Sequence, residues 1–218
     1  MKQIPLTAAM AFAALAGGTG TLSAQAFSLE EAYVKGFGGA TWPSDLDSTL
    51  TEDGTQIALP SFDHDTGYTL GVAVGASVTP NFSMEIEYAY RKADFTVTDR
   101  AEGDRAHGDT SANAFMFNAL YMFDGMGATG TVRPYFGGGI GGANVDVSAG
   151  GQDFDTDTVF AYQLIGGVSY ELNPNVNLFA EGRWFQTESG DFDGPPQTES
   201  FDGKFETFDL LVGMRYDF

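Results

Sequence analysis

Apolar and polar side chains alternate one by one through eight segments, near residues 32–42, 66–78, 82–98, 110–123, 132–147, 157–171, 176–188 and 204–218. In the second, Tyr68, Leu70, Val72, Val74, Ala76 and Val78 oppose Thr69, Gly71, Ala73, Gly75 and Ser77. In the third, Phe82, Met84, Ile86, Tyr88 and Tyr90 oppose Ser83, Glu85, Glu87, Ala89 and Arg91. The last sets Phe208, Leu210, Val212, Met214, Tyr216 and Phe218 against Asp209, Leu211, Gly213, Arg215 and Asp217. A period of two belongs to a pleated strand, because a helix would spread each set around its circumference. Each segment therefore predicts a β-strand. After Arg91 the parity slips and Phe95 and Val97 fall on the polar side. That implies a bulge, or strand that extends past the level where its outer face must be apolar.

The connections alternate in length. Thr79-Pro80-Asn81 and Asn173-Pro174-Asn175 read as tight turns, and Asp124 to Thr131 as a slightly longer glycine-rich one. Long loops lie near 43–65, 99–109, 148–156 and 189–203. Short turns at one end and long loops at the other predict a meander, and an even number of strands can close and so remove its exposed edges.

Two features decide which face looks inward. The polar face carries Lys35, Glu85, Glu87, Arg91, Glu181, Arg183, Asp209 and Arg215, four charges of each sign. A narrow lumen can hold such a set if the charges pair, whereas the outer face of an acidic soluble protein would share its acidic bias. The apolar face carries two sets of aromatics. Phe82, Tyr121, Phe123, Phe136, Tyr170, Tyr216 and Phe218 lie near the short turns; Tyr68, Tyr90, Phe115, Tyr162, Trp184 and Phe208 lie nearer the loops. Two girdles around an aliphatic band match the two interfaces of a bilayer. The fold expected is all-β, an eight-stranded antiparallel up-and-down transmembrane β-barrel, rather than a lipocalin-like soluble barrel with an apolar interior. Glycines within the strands fit this reading. Gly137, Gly139 and Gly141 share one face and leave room inside for long Arg and Glu chains, while Gly36, Gly38, Gly166 and Gly182 face lipid.

Composition narrows the chemistry. Thirty acidic against ten basic residues give the 218-residue chain a formal charge of -20, which excludes general nucleic-acid binding. The absence of cysteine excludes a disulfide framework, a thiolate zinc site and a cysteine nucleophile. Residues 1–26 read as a signal peptide, with Lys2 as the positive region, Leu6 to Ala16 as the apolar run and Ala24-Gln25-Ala26 as the cleavage pattern. Residues 27–218 would then form the barrel domain. No cofactor and no metal site are expected.

The segments Tyr33-Val34-Lys35-Gly36-Phe37-Gly38-Gly39, Arg133-Pro134-Tyr135-Phe136-Gly137-Gly138-Gly139-Ile140-Gly141 and Leu211-Val212-Gly213-Met214-Arg215-Tyr216-Asp217-Phe218 resemble the small outer-membrane β-barrel family of Gram-negative bacteria, including the OmpA-type transmembrane domain, OmpX and opacity-type porin-like proteins. The resemblance implies an outer-membrane location with both mature termini periplasmic. It also implies that Tyr216 and Phe218 form the signal read by the outer-membrane assembly machinery.

Three functions compete. The first is a plugged anchor with a structural or surface-interaction role, its working surface the loops, where more than half of the acidic residues fall. Clustered carboxylates could bind divalent cations and bridge to lipopolysaccharide or other surface ligands. Asp153, Asp155 and Asp157 alternate suggestively but lack the glycine and terminal glutamate of a calcium loop, so a solvated acidic surface is the simpler reading. The second is a narrow, porin-like pore for small solutes, which eight strands and eight lumen charges oppose. The third is a lipid-modifying enzyme. It would need a base beside a nucleophile, and the two histidines, His64 and His107, fall in predicted loops, His107 near Asp109, Thr110 and Ser111.

Overall fold

The computed structural model describes residues 32–44, 49–52, 55–58, 62–98, 105–127, 130–149, 152–156, 158–188, 190–193 and 201–218. The expected leader lies outside them. Eight long strands dominate: β1 (Ala32–Pro43), β2 (Gly67–Thr79), β3 (Phe82–Thr98), β4 (Arg105–Met122), β5 (Val132–Ala149), β6 (Val159–Asn173), β7 (Val176–Thr187) and β8 (Glu206–Asp217). Each pairs antiparallel with the next, and β8 returns to β1 with Lys35 opposite Arg215, so the sheet closes. Short strands extend the connections at the opposite end, among them Thr49–Glu52 with Thr55–Ala58 and Gly190–Asp193 with Phe201–Gly203.

Side-chain hydrogen bonds set the two tight turns. Thr79 Oγ1 accepts from the backbone N–H of Asn81 and Phe82, and Asn173 Oδ1 accepts from that of Asn175. The register shifts by a residue beside each, between Ser77 and Thr79 and between Glu171 and Asn173. Asn81 and Asn175 then donate to the carbonyls of Met122 and Asp217, fastening each turn to a neighbouring strand end.

The barrel is inside-out relative to a soluble one. Leu70, Val72, Leu164, Val212 and Phe115 are exposed on the outer face, while Glu85, Glu87, Arg91, Arg183 and Asp209 are fully buried within. The aromatic girdles are laterally packed. Tyr121, Phe123 and Phe136 cluster at the turn end, and Tyr216 and Phe218 pair edge to face at the same end on another part of the wall. Tyr68–Tyr90, Tyr88–Phe115, Tyr162–Trp184 and Trp42–Phe208 pair toward the loops. Along β6, Tyr162 and Tyr170 stand ~26 Å apart in an extended chain, which a tilted strand needs to cross a hydrocarbon core. Near the loop-side girdle the outer face turns polar: Lys92 pairs with Asp109, and Trp184 Nε1 donates to Glu206.

That change of surface accounts for the slipped parity in the third segment. β3 pairs with β4 without a register shift from Phe82 to Thr98, so no bulge intervenes. Phe95 simply continues the inward face, at a level where the lumen itself is apolar. There Ala112, Ala114, Met116, Ala143, Val145, Ala161, Phe185 and Phe205 pack together. The lumen thus has a polar middle and an apolar top, a division that strict alternation did not anticipate.

The inward glycines make room chiefly for rings, not for the Arg and Glu chains expected from the sequence. Gly71, Gly75, Gly167 and Gly213 stand directly across the sheet from Phe37, Tyr33, Tyr135 and Phe179, and Gly108 from Phe95. A Cβ at any of the five would run into the facing ring. Gly139 does the same for Asn118, and Gly137 and Gly141 accommodate Leu120 and Met116. On the outer face a Cβ at Gly36 or Gly166 would meet nothing.

Candidate functional site

Cross-strand glycines let aromatic rings lie over the neighbouring strand, and the rings carry cations. Lys35 Nζ sits 4.5 Å from the centroid of Phe179, the Arg183 guanidinium 4.3 Å from Phe37, Arg91 4.0 Å from Phe185 and Arg215 3.5 Å from Tyr33. All four cations picked out by inward parity are therefore seated on a ring face, which attracts positive charge most strongly where water is excluded. Three of the four rings face a glycine.

The eight charges singled out from the sequence all lie on the inward face, but they form three groups. In the middle, Glu181 is the hub. Its Oε1 accepts from Lys35 Nζ at 2.9 Å and from the Tyr135 hydroxyl at 2.6 Å; its Oε2 accepts from Arg183 Nε at 2.7 Å and Nη2 at 2.5 Å. Arg183 Nη1 continues to Glu87 at 2.6 Å, and Lys35 lies 3.2 Å from Glu85, which also accepts from the Tyr33 hydroxyl. Asn118 and Gln163 donate to Glu87 at 3.1 and 3.2 Å. Contributions from β1, β3, β4, β5, β6 and β7 meet here, so the network crosses the barrel instead of lining one wall. Toward the loops, Arg91 Nε donates to Asp209 at 2.9 Å, and Thr41 donates to the other carboxylate oxygen. At the turn end Arg215 pairs with Asp217, which also accepts from Asn177 at 2.8 Å.

Inward parity pointed to the charges, and the residues it left unassigned share it. Tyr33, Tyr135, Asn118, Gln163, Thr41 and Asp217 all occupy inward positions, and each binds one of the eight charges or, for Asp217, supplies a further one. Asp217 also alters the balance of four against four, since it takes Arg215 and leaves the middle with Lys35 and Arg183 against three glutamates.

The lumen is open from the turn end only part of the way. A cavity of about 360 Å³ is lined by Arg133, Ser169, Glu171, Asn177, Arg215 and Asp217. Above it a space of about 10 Å³, room for a single water, borders Lys35, Glu85 and Tyr135. There the side chains of Glu85, Glu87, Glu181 and Arg183 are inaccessible to solvent, and Lys35 is 3 % exposed.

Tyr216 and Phe218 stack edge to face on the outer surface beside the turns. Asp153 and Asp155 fall on a short strand, Gln152–Thr156, where Asp155 pairs in backbone register with Asp146 and Asp193. Their side chains, and Asp157 altogether, lie outside the described residues. The histidines are not in loops, as the sequence reading had them. His107 is within β4 opposite Thr96, and His64 is in a short strand opposite Phe95. Thr110 points inward, away from the face of Asp109 and Ser111. Among the described residues no three His, Asp or Glu side chains are grouped to hold a metal ion.

The geometry has counterparts in known proteins. Residues 10–218 match the family described as outer membrane protein beta-barrel domain. Neisserial surface protein A is 18 % identical with a TM-score of 0.57, over 86 % of this chain and 97 % of that one. The outer membrane protein AlkL is 19 % identical with a TM-score of 0.56, over 92 % and 96 %. The Escherichia coli outer membrane protease OmpT is 10 % identical with a TM-score of 0.50, over 92 % and 100 %. At these identities the likeness is one of fold alone. No curated protein sequence matches the chain.

Proposed function

Because this chain belongs to the outer membrane protein beta-barrel domain family, we propose that it serves as a plugged anchor in the bacterial outer membrane, with a structural or surface-interaction role rather than a catalytic one. The network centred on Glu181 carries this reading. Five ionisable side chains locked together across the middle of the lumen obstruct it, and moving an ion past them would mean breaking buried pairs at several kcal/mol each. The turns and both mature termini face the periplasm in this reading, and the acidic loops face outward. The exposed aliphatic belt meets outer-membrane lipid. Tyr216 and Phe218 serve as the handle for the assembly machinery, and the loop carboxylates meet lipopolysaccharide or surface ligands, through divalent cations where phosphates must be bridged.

Planar-bilayer recording of the refolded protein tests the plug. The expected trace is silent at moderate voltage, with no discrete openings. Regular steps whose ion selectivity changes in Glu181→Gln would replace the plug by a narrow pore through the same network.

A further inference from the structure

Five buried side-chain atoms find no hydrogen-bond partner among the described residues, and four of them belong to one level of the barrel: Arg91 Nη1 and Nη2, Thr69 Oγ1 and Thr207 Oγ1. The register explains the grouping. Thr69 is the cross-strand partner of Arg91. Thr207 is the partner of Phe185, whose ring lies under the Arg91 guanidinium, and sits one inward position from Asp209. Arg91, Thr69, Thr207 and Asp209 are all fully buried. Both oxygens of Asp209 are occupied, one by Arg91 Nε and the other by Thr41. What remains is the guanidinium end, which can only donate, and two hydroxyls, each of which can donate as well as accept. Two terminal guanidinium nitrogens carry four N–H groups between them, and each hydroxyl adds one more. Buried donors left unmade cost more than a made bond returns, so clustered orphans call for an occupant that supplies acceptors.

We propose that Arg91, Thr69 and Thr207 form a binding site for a small planar oxyanion of the carboxylate or nitrate kind, held by the Arg91 guanidinium that the Phe185 ring seats. A planar anion suits the two parallel N–H groups at the end of a guanidinium, and the hydroxyls close on its remaining oxygens. Asp209 already offsets the charge of Arg91, so directional hydrogen bonding holds the ligand and affinity is weak, on the order of millimolar. The site is distinct from the network around Glu181, where each arginine nitrogen already meets a carboxylate.

The test uses the full barrel refolded into detergent micelles with 15N-labelled arginine, in formate exchanged for chloride at constant ionic strength. Refolding with the anion present removes any question of entry. The Arg91 side-chain resonance is identified by its nuclear Overhauser contact to the Phe185 ring, and retained folding is read from heat-modifiable gel mobility. Formate should shift that resonance saturably, and Thr69→Val with Thr207→Val should raise the half-saturating concentration at least fivefold. No shift, an unsaturable shift, or an unchanged half-point in the double variant would overturn the proposal and assign the level to water alone. Thr69→Ser, which keeps the hydroxyl, should retain the response; its loss there would equally count against the hydroxyl's role.

Discussion

Arg183 and Arg91 are the two largest fully buried side chains among the described residues, and both stack on a phenylalanine. Their polar surroundings differ completely. All three nitrogens of Arg183 meet carboxylates within 2.7 Å, whereas Arg91 uses one nitrogen and leaves two without partners. The difference lies in their inward neighbours. Two residues before Arg183 on the same strand is Glu181, while two residues either side of Arg91 are Ala89 and Ala93. One arginine is embedded in a network built around it. The other sits at the lower edge of an apolar plug, tied only to Asp209.

The largest effect that follows is at Arg183. Arg183→Met strips Glu87 of the cation it pairs with and leaves two buried carboxylates underpaired, so urea unfolding of the refolded protein should show a loss of about 3–5 kcal/mol, or a failure to refold. An unchanged midpoint would mean that the middle of the lumen is hydrated and the plug is not one. Gly71→Ala comes next. Its Cβ would strike the Phe37 ring and the Tyr88 carbonyl oxygen 2.8 Å away, so Arg183 would lose its seat; about 1–3 kcal/mol is expected. Combining it with Phe37→Leu should cost less than the two changes added. Strict additivity would show that glycine and ring are not coupled.

Replacing the Arg91–Asp209 pair gives a change of the opposite tendency. Arg91→Met with Asp209→Leu removes both charges and both orphaned nitrogens at a level already walled by alanines and phenylalanines. The double variant should match the parent or exceed it by about 1–4 kcal/mol, as buried pairs replaced by apolar residues often do. A loss as large as that of Arg183→Met would erase the distinction between the two arginines.

Parity in the sequence sufficed for the strands, the inside-out orientation and the eight lumen charges, because a period of two survives any register. It could not pair them. Glu181 meets Tyr135 from 46 residues away and Lys35 from 146, and those meetings depend on closure and on the stagger between strands. The same limit hid the glycines' purpose. That Gly213 faces Phe179 and Gly71 faces Phe37 is a fact of register, not of composition. The loop-end lumen was missed for another reason: Ala112, Ala114 and Ala143 are small enough to suit either face of a strand, so they carry no directional signal.

The smallest expected effect lies on the outer surface above the loop-side girdle. Lys92 and Asp109 approach to 3.0 Å, a separation close to those in the lumen, but their side chains are 34 % and 37 % exposed. Water screens such a pair, and the entropy of holding two mobile chains offsets most of what attraction remains. Asp109→Asn should therefore leave the urea midpoint within error of the parent, and whatever shift exists should vanish as salt is raised past the point where the Debye length falls below the pair's surroundings. Arg183→Met should be as costly in high salt as in low, since no ion reaches its partners. If Asp109→Asn instead proved salt-independent and costly, the strands above the girdle would lie in a low-dielectric layer. The apolar top of the lumen would then be enclosed by membrane, not raised above it.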